Sequence, residues 1–200
     1  MGVKFNKSGI IEASGIIVGA NLIIDSLNKS DSHLTSGNEY MAIDVGDSYK
    51  NIADGTIVTI SFDLECKFLS GSNNNIIYVY NTNNHGPKTF TGVTWNFIDH
   101  GYSIGDTIKQ RVSVTTTIHD RSSSDINKTS NYIEFYTGYN TGNVFAISNL
   151  KCEIGSIATP WIPNVNDWGY IGDSPHGFIE ITPKMKLYNG KIETSEFIEW

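Results

Sequence analysis

The sequence predicts an all-β protein built as a two-sheet antiparallel sandwich, and three observations lead to this prediction. Apolar and polar residues alternate over long runs, which is the period of a half-buried strand. Loops rich in Gly, Asn and Ser separate these runs. Charged residues make up only 18% of the 200 residues, and no window of useful length has the apolar period of an amphipathic helix.

The clearest predicted strand lies within residues 56–69, where apolar side chains from Val58 to Phe68 alternate with polar ones. One face of this strand would pack in a core while the other meets water. Residues 112–118 repeat the same period. Shorter strands are predicted at 40–45, 76–80, 90–97, 132–136 and 144–147.

The chain ends are predicted to form small β units outside the sandwich. The sandwich is placed at 20–163, between an N-terminal β-hairpin arm at 1–19 and a linker at 164–183 that leads to a C-terminal β-hairpin at 184–200. Asn189-Gly190 between alternating runs is a strong hairpin signal. Residues 11–17 resemble 192–198, so one hairpin unit recurs at both ends, with chance similarity between short Ile-rich strands as the alternative. Such a hairpin needs a partner surface.

Composition excludes several classes of protein. A net charge of −7 without clustered Lys or Arg argues against nucleic-acid binding. Cys66 and Cys152 form no CxxC pair and fall in strand-like patterns, so they are predicted to be buried free thiols. Glu12 and Gly15 interrupt the apolar residues near the N-terminus. Neither a signal peptide nor a membrane span is therefore predicted.

Enzyme signatures are missing from the sequence. It has no Gly-x-Ser-x-Gly elbow, His-Glu-x-x-His, Walker loop or Rossmann glycine fingerprint. A glycosidase would need two carboxylates across a cleft, which is a geometry that only a structure can test. We predict a protein that is not an enzyme and that has no cofactor, with a structural calcium ion as the one exception considered below.

The end of the predicted sandwich carries a distinctive pattern, Leu150-Lys151-Cys152-Glu153-Ile154-Gly155 followed by Ala158-Thr159-Pro160-Trp161-Ile162-Pro163. It resembles the closing strand of carbohydrate-binding-like jelly rolls in tail and baseplate (receptor-binding) proteins of bacteriophages that infect Gram-positive bacteria. Cys152 departs from that pattern, where an apolar residue such as Leu is more usual. Asn21-Leu22-Ile23 and the strand at 57–68 lie where that family has its first and early core strands.

The resemblance implies a galactose-binding-like jelly roll that adheres to host cell-wall polysaccharide without catalysis. It also implies a place in the virion tail after assembly in the bacterial cytoplasm, with other tail proteins as partners and trimers as a common arrangement. A structural calcium ion is implied as well, with Asp25 and Glu153 as donors by position; otherwise we expect both carboxylates to be solvated at the surface. The alternative function is a structural tail component, a spacer or docking module, without sugar binding.

Sugar recognition needs aromatic rings that stack on apolar sugar faces, together with amides and hydroxyls that bond the sugar hydroxyls. Tyr78 and Tyr80 share a parity and so project from the same face of their strand. The following loop adds amide and imidazole groups, and two later segments add further aromatic rings. The predicted ligand-binding residues are Tyr78, Tyr80, Asn84, His85, Trp95, Tyr136 and Tyr139. The competing interpretation is that Tyr78, Trp95 and Tyr136 pack in the sandwich core.

Overall fold

The computed structural model describes residues 4–5, 11–13, 16–17, 19–35, 38–69, 76–81, 88–120, 131–138, 141–164, 167, 178–181 and 185–188. Within these ranges the regular elements are β-strands and two short 3-10 turns, Ser26–Asn28 and Ile98–His100. No helix in this part of the chain has the length and apolar character needed to cross a membrane.

The N-terminal residues contain a small antiparallel sheet. Its strands are β1 (Lys4–Phe5), β2 (Ile11–Ala13) and β3 (Ile16–Ile17), with β2 in the centre. Glu12 lies opposite Lys4 on one side and Ile17 on the other. Antiparallel strands are thus present in the range predicted as the N-terminal arm.

The main body is a sandwich of two antiparallel sheets. Its strands are β4 (Asp31–Ser32), β5 (Tyr40–Gly46), β6 (Ile57–Lys67), β7 (Ile76–Tyr80), β8 (Lys88–Phe90), β9 (Val93–Asn96), β10 (Thr107–Asp120), β11 (Asn131–Tyr136) and β12 (Val144–Ile154). One sheet has the order β4-β12-β6-β10-β8, and the other has the order β5-β11-β7-β9. The facing sets 4-12-6-10 and 5-11-7-9 have the double Greek-key order of an eight-stranded jelly roll, with β8 added at an edge. The predicted two-sheet antiparallel sandwich is confirmed.

The core lies between the sheets and follows from strict alternation. On β6, Val58, Ile60 and Phe62 are at most 1% exposed and point inward. Phe62 meets Phe135 of the opposite sheet edge to face, with ring centroids 4.9 Å apart. Such contacts bury the apolar face of each sheet, which is the main stabilising contribution in a sandwich.

A bulge in β12 explains the sequence of the closing strand. The register with β6 shifts between Ser148 and Lys151, and Asn149 has a φ of 49°, which Asn tolerates better than most residues. The shift reverses the parity of the strand, so that Leu150 and Cys152 point inward and Lys151 lies on the outer side. Cys66 and Cys152 are both buried free thiols, as predicted, and burial raises the pKa of each to about 12.

Lys151 and Glu153 lie on the outer side of the five-stranded sheet, yet their side chains are 0% and 1% exposed. The closing segment covers them. The Thr159 backbone N–H and hydroxyl donate to the two Glu153 carboxylate oxygens at 2.9 and 2.7 Å. Lys151 Nζ donates to the Pro160 carbonyl at 2.9 Å and lies 3.3 Å from Glu153 Oε2. We call these four residues the clasp. The expectation that Glu153 is solvated at the surface is wrong, because a second layer of chain lies over this strand.

The folded domain continues beyond residue 163, into the range predicted as a linker. Asp167 is 3% exposed. Its carboxylate accepts from the backbone N–H groups of Asp25 and Ser26 at 2.9 and 2.7 Å and from the Ser26 hydroxyl at 2.6 Å. Asn164 Nδ2 donates to the Asn21 carbonyl at 2.6 Å. These bonds tie the start of the domain to its end, because Asp167 satisfies N–H groups at the start of the first 3-10 turn.

The C-terminal residues contain a two-stranded antiparallel sheet. Strands β13 (Phe178–Ile181) and β14 (Met185–Tyr188) pair with Phe178 opposite Tyr188. Strand β13 falls inside the predicted linker, because its alternating Phe-Ile-Glu-Ile sequence favours a strand. The hairpin predicted around Asn189-Gly190 lies outside the described residues.

Candidate functional site

The outer face of the four-stranded sheet carries a group of half-buried tyrosines. Inward residues of these strands, such as Met41, Ile77 and Phe135, are at most 1% exposed. Alternate positions therefore project outward, away from the core. We call this surface the tyrosine face; its aromatic members are Tyr40, Tyr78, Tyr80, Tyr132 and Tyr136.

Strand register aligns three of these tyrosines. Tyr136 on β11 lies directly opposite Tyr40 on β5 and, on its other side, directly opposite Tyr78 on β7. Exposed Thr94 on β9 continues the line beyond Tyr78. Because neighbouring strands are about 4.8 Å apart, the three rings form a row across the strands. We call Tyr40, Tyr136 and Tyr78 the tyrosine row.

Tyr78 and Tyr80 stack on each other along β7. Their ring centroids are 4.8 Å apart and their planes differ by 20°. Each ring therefore uses one face on its neighbour and leaves at most one face for a ligand.

Gly92 gives Tyr78 the space to lie toward the sheet edge. A Cβ atom at position 92 would fall 1.9 Å from the Tyr78 hydroxyl oxygen and 2.4 Å from Cζ. No side chain larger than hydrogen fits there without moving the ring. The glycine thus leaves room for Tyr78 to lie at one end of the tyrosine row.

Replacement of Gly92 by Ala is expected to destabilise the domain by about 1–3 kcal/mol, because the added methyl group overlaps the Tyr78 ring. Urea-induced unfolding measures this change. In a Tyr78→Ala background the same substitution should cost less than about 0.5 kcal/mol, because the overlapping ring is gone. Equal costs in both backgrounds would contradict the proposed contact.

Glu134 lies at the centre of the tyrosine face and is 0% exposed. It shares the outward parity of Tyr132 and Tyr136, and its register partners are Ala42 and Tyr80. The Tyr40 hydroxyl donates to Glu134 Oε1 at 2.5 Å. The carboxylate therefore fixes the hydroxyl of Tyr40, which forms the other end of the tyrosine row.

The structure brings together three of the residues singled out from the sequence, Tyr78, Tyr80 and Tyr136, on the tyrosine face. The competing interpretation placed Tyr78 and Tyr136 in the sandwich core. The structure places both on the outer face of the sheet, where they are only half-buried. Asn84, His85 and Tyr139 lie outside the described residues.

Trp95 lies on the opposite side of the sheet from the tyrosine face. It is 6% exposed and belongs to the hydrophobic core. Its register partner is the fully buried Ile77, whereas Thr94 lies opposite Tyr78. Trp95 stacks on His100 with centroids 4.3 Å apart and packs against Phe97 at 5.9 Å. The prediction of Trp95 as a ligand residue is therefore replaced by a core role, because its parity on β9 points it inward.

Sequence reasoning missed Tyr40, Tyr132 and Glu134. A local signal was available for two of them, because Tyr132, Glu134 and Tyr136 alternate with apolar Ile133 and Phe135. Tyr40 had no such signal, since its place beside Tyr136 depends on the pairing of β5 with β11.

The two carboxylates suggested as calcium donors have other partners in this structure. Asp25 adopts a left-handed backbone conformation, with a φ of 57°, and accepts from Asn28 Nδ2 at 2.6 Å. Glu153 is held in the clasp. Among the described residues, no group of three or more His, Cys, Asp and Glu side chains is arranged to hold a metal ion.

The outer face of the five-stranded sheet has a different chemistry. A depression of about 440 Å³ is lined there by Asp63, Glu65, Lys109 and Arg111 among others. Arg111 bonds Asp63 at 2.9 Å, and Lys109 lies 2.9 Å from Glu65. These charges pair with each other across neighbouring strands, and the depression has no aromatic ring in its lining. The tyrosine face is therefore the stronger candidate for ligand binding.

No protein-family model and no curated protein matches the chain. Among solved structures it is similar to a chain in the structure of the tripod (BppUct-A-L) from the baseplate of bacteriophage Tuc2009, with a TM-score of 0.46 and 16% sequence identity. The matched region covers 82% of this chain and 65% of that chain, so this chain spans less than two thirds of the length of the one it resembles.

Proposed function

We propose that this chain is a non-catalytic carbohydrate-binding module of a phage tail or baseplate, which attaches to host cell-wall polysaccharide through the tyrosine face. The observation that carries the sugar-binding part is the alignment of three half-buried tyrosines on the outer face of one sheet. Membership of a tail or baseplate rests on the resemblance of the closing segment.

The tyrosine face has the groups that sugar binding needs. Tyrosine rings offer apolar faces for the C–H side of a pyranose, and their hydroxyl groups exchange hydrogen bonds with sugar hydroxyls. A tyrosine also loses little conformational entropy on binding, because it has only two side-chain torsions. The hydrogen bond to Glu134 restrains Tyr40 before a ligand arrives, which lowers the cost of binding further.

The residues of the closing pattern carry the family resemblance, but they do not indicate which ligand the chain binds. Lys151, Glu153 and Thr159 bond one another in the clasp and hold the closing segment on the sheet. Their conspicuous pattern is therefore explained by the fold. The identity of the sugar depends on the tyrosine face on the other sheet.

A glycan array that includes wall polysaccharides of Gram-positive bacteria tests the proposal. We expect the chain to bind at least one such polymer, and Tyr136→Ala to weaken that binding at least about tenfold through the loss of a stacking surface. The control is Ser113→Ala, at an exposed position on the outer face of the other sheet, which should bind like the wild type. Display in several copies would raise the apparent affinity of a weak single site.

The second candidate function is a structural tail component that uses the same surface to dock another protein. Tyrosine is enriched at protein interfaces, so the tyrosine face also supports this alternative. Failure to bind any wall polysaccharide, together with a Tyr136-dependent complex with another tail protein, would favour docking. Binding to a polysaccharide that Tyr136→Ala leaves unchanged would remove the tyrosine face from the proposed site.

A further inference from the structure

We infer that the ligand is the interior of a polysaccharide chain of at least three sugars, which lies across the strands along the tyrosine row, and not a single terminal sugar. This inference rests on the proposed function and adds the class of ligand and its direction. Two features of the tyrosine face support it.

The first feature is the register of the tyrosine row. Tyr40, Tyr136 and Tyr78 are directly opposite one another on three adjacent strands. With about 4.8 Å between strands, the outer two backbone positions are roughly 10 Å apart. A pyranose unit has a length similar to the interstrand spacing. A chain that lies along the row therefore places successive sugars over successive tyrosines.

The second feature is the extent of the surface, which argues for a chain over a terminal sugar. A single sugar is usually recognised in a pocket that closes around it. The half-buried rings here extend over three strands, with Tyr40 bonded to Glu134 at one end of the row and Tyr78 beside Gly92 at the other. Contacts spread in this way engage fully only when the ligand is long enough to reach both ends.

The experiment uses fragments of one to six sugars, prepared from a wall polysaccharide that the array identifies, and titration calorimetry with the full chain. We expect affinity to rise at least about tenfold between one and three sugars and to change little beyond four, as the third tyrosine is engaged. Tyr40→Ala should weaken binding of the three-sugar fragment about tenfold and leave the two-sugar fragment within about twofold.

Ser113→Ala is the matched control, because Ser113 is exposed on the outer face of the other sheet, away from the tyrosine face. It should change the three-sugar affinity by less than about twofold.

Equal affinity for one and six sugars would overturn this inference and leave the proposed function standing. Tyr132 lies on the tyrosine face but outside the tyrosine row, so a loss in Tyr132→Ala as large as in Tyr40→Ala would overturn the direction across the strands. Binding of neither fragments nor any parent polysaccharide would overturn the proposed function itself. Thermal unfolding verifies that each variant is folded.

Discussion

Replacement of Lys151 by Met is expected to destabilise the sandwich by about 3–5 kcal/mol, because it leaves a buried carboxylate without its counter-charge. Glu153 is 1% exposed and has no access to water that could replace the ammonium group. The Pro160 carbonyl loses a donor at 2.9 Å in the same variant. Urea-induced unfolding, followed by tryptophan fluorescence, measures the change in the free energy of unfolding.

The double variant Lys151→Met, Glu153→Leu separates the ion pair from the packing of the closing segment. We expect it to recover most of the loss and to lie within about 1–2 kcal/mol of the wild type, since a buried pair replaced by apolar residues is often neutral. The remaining cost comes from the Thr159 N–H, which no longer has an acceptor, and from the Pro160 carbonyl, which no longer has a donor. A double variant less stable than the single one would contradict this account of the clasp.

The long strands were predictable because their signal is local. Alternation of apolar and polar residues records which side of a strand faces a core, and this needs no knowledge of the neighbouring strand. Strands β6 and β10 were predicted on this basis and are confirmed. The order of the strands in each sheet was not available from such patterns, because β6 lies between β12 and β10, which are both distant in sequence.

The candidate site depended on information that no local pattern contains. Tyr40, Tyr78 and Tyr136 become neighbours only through the register of β5, β11 and β7. The alternation of apolar and polar residues also does not show whether another segment of the chain covers the outer face of a sheet. Glu153 has the parity of an outward residue and is nevertheless buried, because the closing segment lies over it. Glu153 was proposed as a calcium donor from its position in the family resemblance alone. The sequence did not indicate that the closing segment covers this side chain.

Replacement of Trp95 by Ala is expected to destabilise the domain by about 3–5 kcal/mol, the usual cost of deleting a large aromatic side chain from a core. The variant would lose the contacts with Phe97, His100 and Tyr102 and would leave a cavity under β9. Denaturant unfolding measures the loss. Tyr136→Ala serves as the comparison. It should destabilise the domain less than Trp95→Ala, because the Tyr136 ring is only half-buried.

Under conditions in which both variants are folded, the two substitutions should differ in their effect on glycan binding. Trp95→Ala should retain binding, since its side chain lies on the core side of the sheet, whereas Tyr136→Ala should lose it. The distinction depends on one step of register, which places Trp95 beside Ile77 and Thr94 beside Tyr78. Loss of glycan binding in Trp95→Ala at wild-type stability would put Trp95 on the ligand side and reverse the assignment of the two faces.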